Sequence, residues 1–97
     1  IAFIGSGVIA QAMIAGLVNR KLIDPQRIIA SGPRKERGEE LTRRYGIRHT
    51  TDNAEATGKV NIVVLSVKPQ IIDEVMDEID GHVQPESLVL SIAAGVP

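Results

Sequence analysis

The 97-residue sequence contains no cysteine, which excludes disulfide bonds and catalysis by a thiol. A cysteine-free chain is compatible with the reducing cytoplasm, where we expect this protein to be located. Aromatic side chains are limited to Phe3 and Tyr45, so a core must be built from Ile, Val, Leu and Ala. Strands that are buried on both faces of a parallel sheet have this composition.

The sequence also lacks an excess of charge of either sign. Eleven basic residues are interspersed with 12 acidic ones, giving a formal net charge of −1. Such a balance creates no global field that would attract a polyanion. The longest apolar runs are too short to span a bilayer. We therefore expect neither nucleic acid nor a membrane as a partner.

The first ten residues, from Ile1 to Ala10, form an apolar run that is interrupted by glycines and then becomes helical. Gly5 permits a tight turn, Gly7 lets the main chain approach a phosphate, and Ala10 lets the helix pack close to its strand. The first N–H groups of a helix have no intrahelical acceptor and favour an anion. A bare G-x-G-x-x-A also fits an ordinary turn, but its position between a strand and a helix favours a pyrophosphate site.

Strand and helix patterns alternate along the rest of the chain. Strands are predicted at 1–4, 27–31, 47–50, 60–67 and 87–91, and helices from Ala10 to about Arg20, at 34–45 before a left-handed cap at Gly46, at 52–58, and from Pro69 to Asp80. This order predicts a single α/β domain over 1–97, a three-layer, doubly wound parallel sheet of order 3-2-1-4-5 with a Rossmann-like fold. We expect Gly16, inside the first helix, to permit a close helix crossing. Both chain ends coincide with strands, so we expect the domain to belong to a longer protein.

The segment after the second strand predicts which nucleotide binds. An acidic residue there would accept hydrogen bonds from both adenosine ribose hydroxyls and select NAD. This chain instead has Ser31, Gly32 and Pro33 followed by Arg34, Lys35 and Arg37. These residues favour a 2′-phosphate, so we predict that the chain binds NADP. NADPH should be the preferred cofactor, NADH is a possible one, and Arg34 should be the main contact with the 2′-phosphate. The alternative is that the basic side chains only solvate the start of a helix.

Several segments together resemble the N-terminal domain of pyrroline-5-carboxylate reductase, and the resemblance covers essentially the whole chain. They are Phe3 to Ala10, Ala30-Ser31, Thr51 to Asn53, Val64 to Gln70 and Ser91 to Val96. The Val-Lys-Pro and Ser-Ile-Ala-Ala-Gly-Val segments are more specific than the glycines. One departure is Val8-Ile9, where many members have a polar residue followed by Leu or Met.

The resemblance implies an NAD(P)H-dependent oxidoreductase that reduces a cyclic imine, 1-pyrroline-5-carboxylate, by hydride transfer in proline biosynthesis. It implies pyrophosphate contacts from Ile4, Gly5, Ser6, Gly7, Val8 and Ile9, and adenosine contacts from Ser31, Gly32 and Asn53. It also implies nicotinamide contacts from Ser66, Val67, Lys68 and Pro69 on one side and from Ile92, Ala93 and Ala94 on the other. Most groups that contact the imine, and the homo-oligomer interface, would lie in a helical C-terminal domain absent from this sequence. We therefore expect the isolated chain to be inactive.

We assign no catalytic residue and no metal ligand within this chain. Lys68 fits a cofactor ribose contact better than a proton donor, and Asn53 is either a cofactor contact or a helix cap. Ser66 and Ser91 have no His and acid beside them to activate a nucleophile. His49 and His82 are isolated from each other and from acidic clusters.

Two further functions remain open from the sequence. One is a related NADP-dependent reductase or dehydrogenase, linked to a deazaflavin or a hydroxy acid. The other is a non-catalytic module that binds NADP to report redox state.

Overall fold

The computed structural model describes residues 1–58 and 60–92. Within these residues, five strands and four α-helices alternate. In order they are β1 Ala2–Ile4, α1 Val8–Asn19, β2 Ile29–Ser31, α2 Lys35–Tyr45, β3 Arg48–Thr50, α3 Asn53–Thr57, β4 Ile62–Leu65, α4 Ile72–Ile79 and β5 Leu88–Ser91. Short 3₁₀ turns at Pro25–Arg27 and Pro69–Ile71 precede β2 and α4.

The strands form one parallel sheet of order β3-β2-β1-β4-β5, which confirms the predicted topology. The central strand β1 pairs with β2 on one side and with β4 on the other, and its three residues are fully buried. After β3 the chain crosses back over β1 and continues with β4 on its other side, so the direction in which strands are added reverses beside β1. In doubly wound sheets a ligand binds at the carboxyl edge beside this reversal.

Helices cover the two faces of the sheet, and alternate side chains of each strand point to opposite faces. On one face Phe3 packs with Ala10 and Ile14 of α1 and Leu41 of α2. On the other face the side chains of Ile4 and its neighbours pack with α3 and α4. The buried position of Ala10 fits its predicted role as the small residue between helix α1 and strand β1.

The apolar strand β5 is the least covered part of the sheet. Leu88, Val89 and Leu90 are 55%, 38% and 43% exposed among the residues that the structure describes. Among the residues that the structure describes, no helix has the length and apolar character that a membrane span requires.

Helix α2 ends as predicted, because Gly46 adopts a left-handed conformation with a φ of 77°. The main-chain N–H of Gly46 donates to the carbonyl oxygen of Thr42, a bond that caps the last turn.

The expectation for Gly16 is wrong. This residue lies on the exposed side of α1, and a Cβ built on it would have no described neighbour within 4 Å. No close crossing therefore requires a glycine here.

Because alanine loses less conformational freedom in a helix, we expect Gly16→Ala to raise the free energy of unfolding by about 1 kcal/mol. Urea denaturation of the two proteins would measure this change, and a loss of stability would mean that an additional partner packs against Gly16.

Candidate nucleotide site

Main-chain hydrogen bonds bring the carboxyl ends of the strands together. The N–H of Gly5 donates to the carbonyl of Ser31 at 2.7 Å, and the N–H of Ser66 donates to the carbonyl of Ile4 at 2.9 Å. Ile92 extends the pairing of β4 with β5 through a bond to Leu65 of 2.8 Å. The predicted residues at the ends of β1, β2, β4 and β5 therefore share one edge of the sheet.

Gly5 forms the turn between β1 and α1, and two features require glycine there. Its φ is 101°, which side chains of L-residues rarely allow. A Cβ at this position would also lie 2.6 Å from the carbonyl oxygen of Ser66 and 2.9 Å from Cγ1 of Val67. The sequence predicted the turn but not this close approach of the neighbouring strand.

The hydroxyl of Ser66 secures the same turn. This side chain is buried, and its Oγ lies 3.1 Å from the carbonyl oxygen of Ile4 and 3.0 Å from that of Gly5. Ser66 and Val67 were predicted to contact the nicotinamide half of a cofactor. In the structure the Ser66 hydroxyl and Cγ1 of Val67 both face Gly5, so the side chains of these residues support the turn directly.

Gly7 differs from Gly5 in its surroundings. Its φ and ψ of −79° and −165° are extended values that any residue can adopt. A Cβ on Gly7 would meet no described atom within 4 Å. The surrounding protein therefore gives no reason for a glycine here. Close approach of a ligand to the main chain would give one, and the open space at Gly7 fits such an approach.

Helix α1 begins directly after Gly7, with Val8 as its first residue. No described side chain caps this end of the helix, and no acidic residue lies in its first turn. The side chain of Val8 is 77% exposed. The first main-chain N–H groups of α1, including those of Val8 and Ile9, therefore face an open edge, where the helix dipole favours an anion.

At the end of β2, Ser31 is buried, and its hydroxyl donates to Oδ1 of Asn53. The Nδ2 group of Asn53 donates in turn to Oε2 of Glu78 at 2.6 Å. Asn53 is not the cap of α3, because the carboxylate of Asp52 accepts from the N–H groups of Ala54 and Glu55. The side chain of Asn53 is thus directed to the end of β2, and its contact with the adenosine stays a prediction.

Gly32 lies next to the glycine turn. It is buried, and a Cβ on it would lie 2.5 Å from Oγ of Ser6. The side chain of Ser6 therefore occupies the space that a larger residue at position 32 would need. Gly32 and Ser6, both predicted cofactor contacts, are in this way adjacent at the carboxyl edge.

The three basic residues after β2 have different surroundings. Arg34 is exposed at the start of α2. Nζ of Lys35 lies 3.9 Å from Oε1 of Glu39 in an exposed i, i+4 pair. Arg37 points back across the molecule, with its Nε group 3.0 Å from the carbonyl oxygen of Ser6 and Nη2 3.1 Å from Oε1 of Gln11. Arg34 and Lys35 are thus the two exposed cations of this segment, and the contact of Arg34 with a 2′-phosphate stays a prediction.

On the nicotinamide side, Lys68 is exposed after the end of β4, and its carbonyl accepts from the N–H of Ile71. Pro69 begins the 3₁₀ turn before α4. Ile92 packs against the core cluster that contains Phe3. The predicted contacts Ala93 and Ala94 lie outside the described residues.

His49 packs against helix α2. Nδ1 of His49 lies 2.9 Å from Oγ1 of Thr42, and its ring packs where a Cβ on Gly38 would be. Within residues 1–58 and 60–92, no group of three or more His, Asp or Glu side chains is arranged to hold a metal ion.

Two cavities of about 410 Å³ each are found away from the glycine turn. One is lined by Leu22, Arg27 and Val60 among others, and the second by Ile29, Arg48 and Ala56 among others. Most of these residues lie toward the amino ends of the strands. Ligands of doubly wound sheets bind at the carboxyl ends of the strands. We therefore take the carboxyl edge, and neither of these two cavities, as the candidate nucleotide site.

Sequence reasoning missed two residues at this edge. Gln11 and Glu78 are the partners of Arg37 and Asn53, and they lie 26 and 25 positions away from them. Neither of them belongs to a sequence motif. Only the folded arrangement indicates that they contribute to the edge.

The parallel sheet of order 3-2-1-4-5, with a glycine turn between its central strand and the next helix, defines a doubly wound fold of the Rossmann type. A family model described as "NADP oxidoreductase coenzyme F420-dependent" matches residues 1–95. The chain belongs to this family.

Individual relatives agree with the resemblance found in the sequence. The chain is 42% identical to a pyrroline-5-carboxylate reductase of Corynebacterium melassecola, over 99% of this chain and 36% of that protein. Among solved structures, a pyrroline-5-carboxylate reductase from Coxiella burnetii superposes with a TM-score of 0.89 at 32% identity, over 99% of this chain and 36% of that one. A Plasmodium falciparum pyrroline carboxylate reductase, solved with NADP bound, superposes with a TM-score of 0.80 at 25% identity. This match covers 98% of this chain and 33% of that one. The chain thus spans about a third of the length of these relatives.

Proposed function

We propose that this chain is the NADPH-binding domain of a pyrroline-5-carboxylate reductase, which reduces 1-pyrroline-5-carboxylate to L-proline. The observation that carries the proposal is the open glycine turn at the carboxyl edge, where a Cβ on Gly7 would meet no described atom within 4 Å. A pyrophosphate fits this space, since it would accept hydrogen bonds from the first N–H groups of α1. The similarity to named reductases over the whole chain supports the choice of substrate.

Each end of the site has a part in binding the nucleotide. Ile4, Gly5, Ser6, Gly7, Val8 and Ile9 would surround the pyrophosphate, and Ser31, Gly32, Arg34 and Asn53 would adjoin the adenosine. Arg37, from the same basic segment, is bonded to Ser6 of the glycine turn. Ser66, Val67, Lys68, Pro69, Ile92, Ala93 and Ala94 would adjoin the nicotinamide. The reduced nicotinamide supplies the hydride when bound, and the residues of this chain would orient it by contacts along the whole dinucleotide.

The substrate-binding half of the enzyme would lie in additional polypeptide. The named relatives are nearly three times as long as this chain, and the exposed apolar side chains of β5 offer a surface for further polypeptide. We propose that this part is a helical domain that forms the homo-oligomer and supplies contacts to the imine. The cytoplasmic location expected from the cysteine-free sequence stays a prediction.

The proposal is tested by a steady-state assay of the full-length polypeptide that contains this chain. We expect formation of proline from 1-pyrroline-5-carboxylate with NADPH, and slower formation with NADH. The 97-residue chain alone should bind the nucleotide weakly and produce no proline. Absence of turnover by the full-length protein would contradict the proposal, and proline formation by the 97-residue chain would contradict the division between two domains.

The family description favours one alternative, a reductase that transfers hydride between NADP and coenzyme F420. It uses the same nucleotide site and differs only in the acceptor. The same assay, with coenzyme F420 in place of the imine, distinguishes the two functions.

Arg34→Ala tests the preference for NADPH. Because the exposed guanidinium would pair with the 2′-phosphate, its removal should weaken NADPH binding about tenfold, a loss of about 1.4 kcal/mol, and leave NADH binding unchanged. Fluorescence titration of the full-length protein with each nucleotide measures both affinities. Lys35→Ala is the matched control, since Lys35 is the next basic residue and lies beside Glu39. Equal losses for NADPH and NADH would contradict the assignment of Arg34.

A further inference from the structure

Arg37 connects helix α2 to the glycine turn. Its side chain is half-buried, and two of its donors are directed to acceptors in different elements. The Nε group donates to the main-chain carbonyl of Ser6 in the turn, and the Nη2 group donates to the side chain of Gln11 in the second turn of α1. The guanidinium therefore joins three segments that meet at the carboxyl edge.

The bond to Ser6 determines how the next main-chain donor points. In a planar trans peptide the carbonyl and the N–H point in opposite directions, and the described chain has no cis peptide. With its carbonyl directed toward Arg37, the peptide between Ser6 and Gly7 must direct the N–H of Gly7 away from α2. Ser66 acts similarly on the preceding peptide, because its hydroxyl lies within hydrogen-bond distance of the Gly5 carbonyl.

We propose that Arg37 is a positioning residue that holds the Ser6–Gly7 peptide with its N–H directed at the pyrophosphate. This inference rests on the proposed function, because it requires a dinucleotide on the glycine turn. It assigns Arg37 a role different from that of Arg34, although both belong to the same basic segment. Arg34 would distinguish NADPH from NADH, whereas Arg37 would serve both, since the two nucleotides share the pyrophosphate.

The chemistry of the guanidinium explains why an arginine fits this position. A planar fork can donate to a carbonyl and to an amide oxygen at the same time, whereas an ammonium group has no such fixed geometry. The positive charge also lies one hydrogen bond away from the turn, where it favours a bound anion. Arg37→Lys keeps the charge but loses the fork, so it separates these two contributions.

The test compares the affinities of the full-length protein for NADPH and NADH in four variants, Arg37→Ala, Arg37→Lys, Gln11→Ala and the double variant Arg37→Ala with Gln11→Ala. We expect Arg37→Ala to weaken both nucleotides about tenfold, which corresponds to about 1.4 kcal/mol, without changing their ratio. Arg37→Lys should recover part of the loss. Gln11→Ala should weaken both to a smaller extent in the native background and have no further effect once Arg37 is absent.

Each outcome supports or overturns the inference. If Arg37→Ala affects NADPH alone, Arg37 is a contact for the 2′-phosphate and the inference is wrong, and if neither affinity changes it is also wrong. If the native protein binds neither nucleotide, the proposed function fails first and the inference fails with it. Thermal melting identifies a variant that does not fold. If Arg37→Ala does not fold, Arg37→Lys, which retains the charge, decides.

Discussion

Gly5→Ala is expected to destabilise the domain by several kcal/mol. The substituted residue would have to keep a φ near 101° and would place a methyl group 2.6 Å from the carbonyl oxygen of Ser66. A strained backbone conformation costs about 1–3 kcal/mol, and overpacking a buried site costs about as much again. The sum is a large part of the total stability of a small domain, which is about 5–15 kcal/mol.

Gly81→Ala is the matched control for this variant. Gly81 also has a positive φ, 81°, but a Cβ on it would have no described neighbour within 4 Å. Its substitution should therefore cost only the backbone term, about 1–2 kcal/mol. Chemical denaturation of both variants separates backbone strain from overlap with Ser66. Equal losses of stability would show that the close approach of β4 to the turn does not determine the residue at position 5.

The alternation of strands and helices was predictable because an apolar strand segment and a residue that ends a helix can each be recognised from a few neighbouring positions. The strand order followed from right-handed crossovers and from the glycine turn after the first strand. The left-handed cap at Gly46 could be identified from one residue, since glycine tolerates a positive φ at a helix end.

Element lengths were less predictable, because strand pairing limits them. The strand predicted over 60–67 is Ile62–Leu65 in the structure. Its central partner β1 has only three residues, paired with Val63 to Leu65, and after Ser66 bonds to Ile4 the chain leaves the sheet. Likewise the helix predicted to begin at Pro69 is preceded by a 3₁₀ turn and begins at Ile72.

The polar contacts at the site could be predicted only in part. Asp52 and Asn53 are adjacent and both favour helix starts, so the sequence could not say which one caps α3. In the structure Asp52 caps α3, and the side chain of Asn53 contacts Ser31 at the end of β2. A charged segment such as 34–37 has the same pattern whether its side chains reach solvent or another element, which is why the bridge from Arg37 to Ser6 had no signal in the sequence.

Gly7→Asp is expected to weaken nucleotide binding strongly while the domain stays folded. Gly7 is the N-cap residue of α1 and has extended φ and ψ, so an aspartate can adopt its conformation. Aspartate is among the best N-cap residues, and its charge interacts favourably with the helix dipole. The free energy of unfolding should therefore stay constant or rise by up to about 1 kcal/mol. The carboxylate would occupy the open space beside the turn, where it would exclude and repel a pyrophosphate.

Gly7→Ser separates these two causes, because a serine caps the helix and adds a Cβ without a charge. If the pyrophosphate lies against the turn, serine should weaken NADPH and NADH equally, and aspartate should weaken both by about 100-fold or more, which corresponds to about 2.7 kcal/mol. Titration of the full-length variants with each nucleotide gives the affinities, and thermal melting without nucleotide gives the stabilities. A folded Gly7→Asp variant that binds NADPH as tightly as the native protein would mean that the nucleotide does not bind at this turn, because an added carboxylate cannot share the space with a diphosphate.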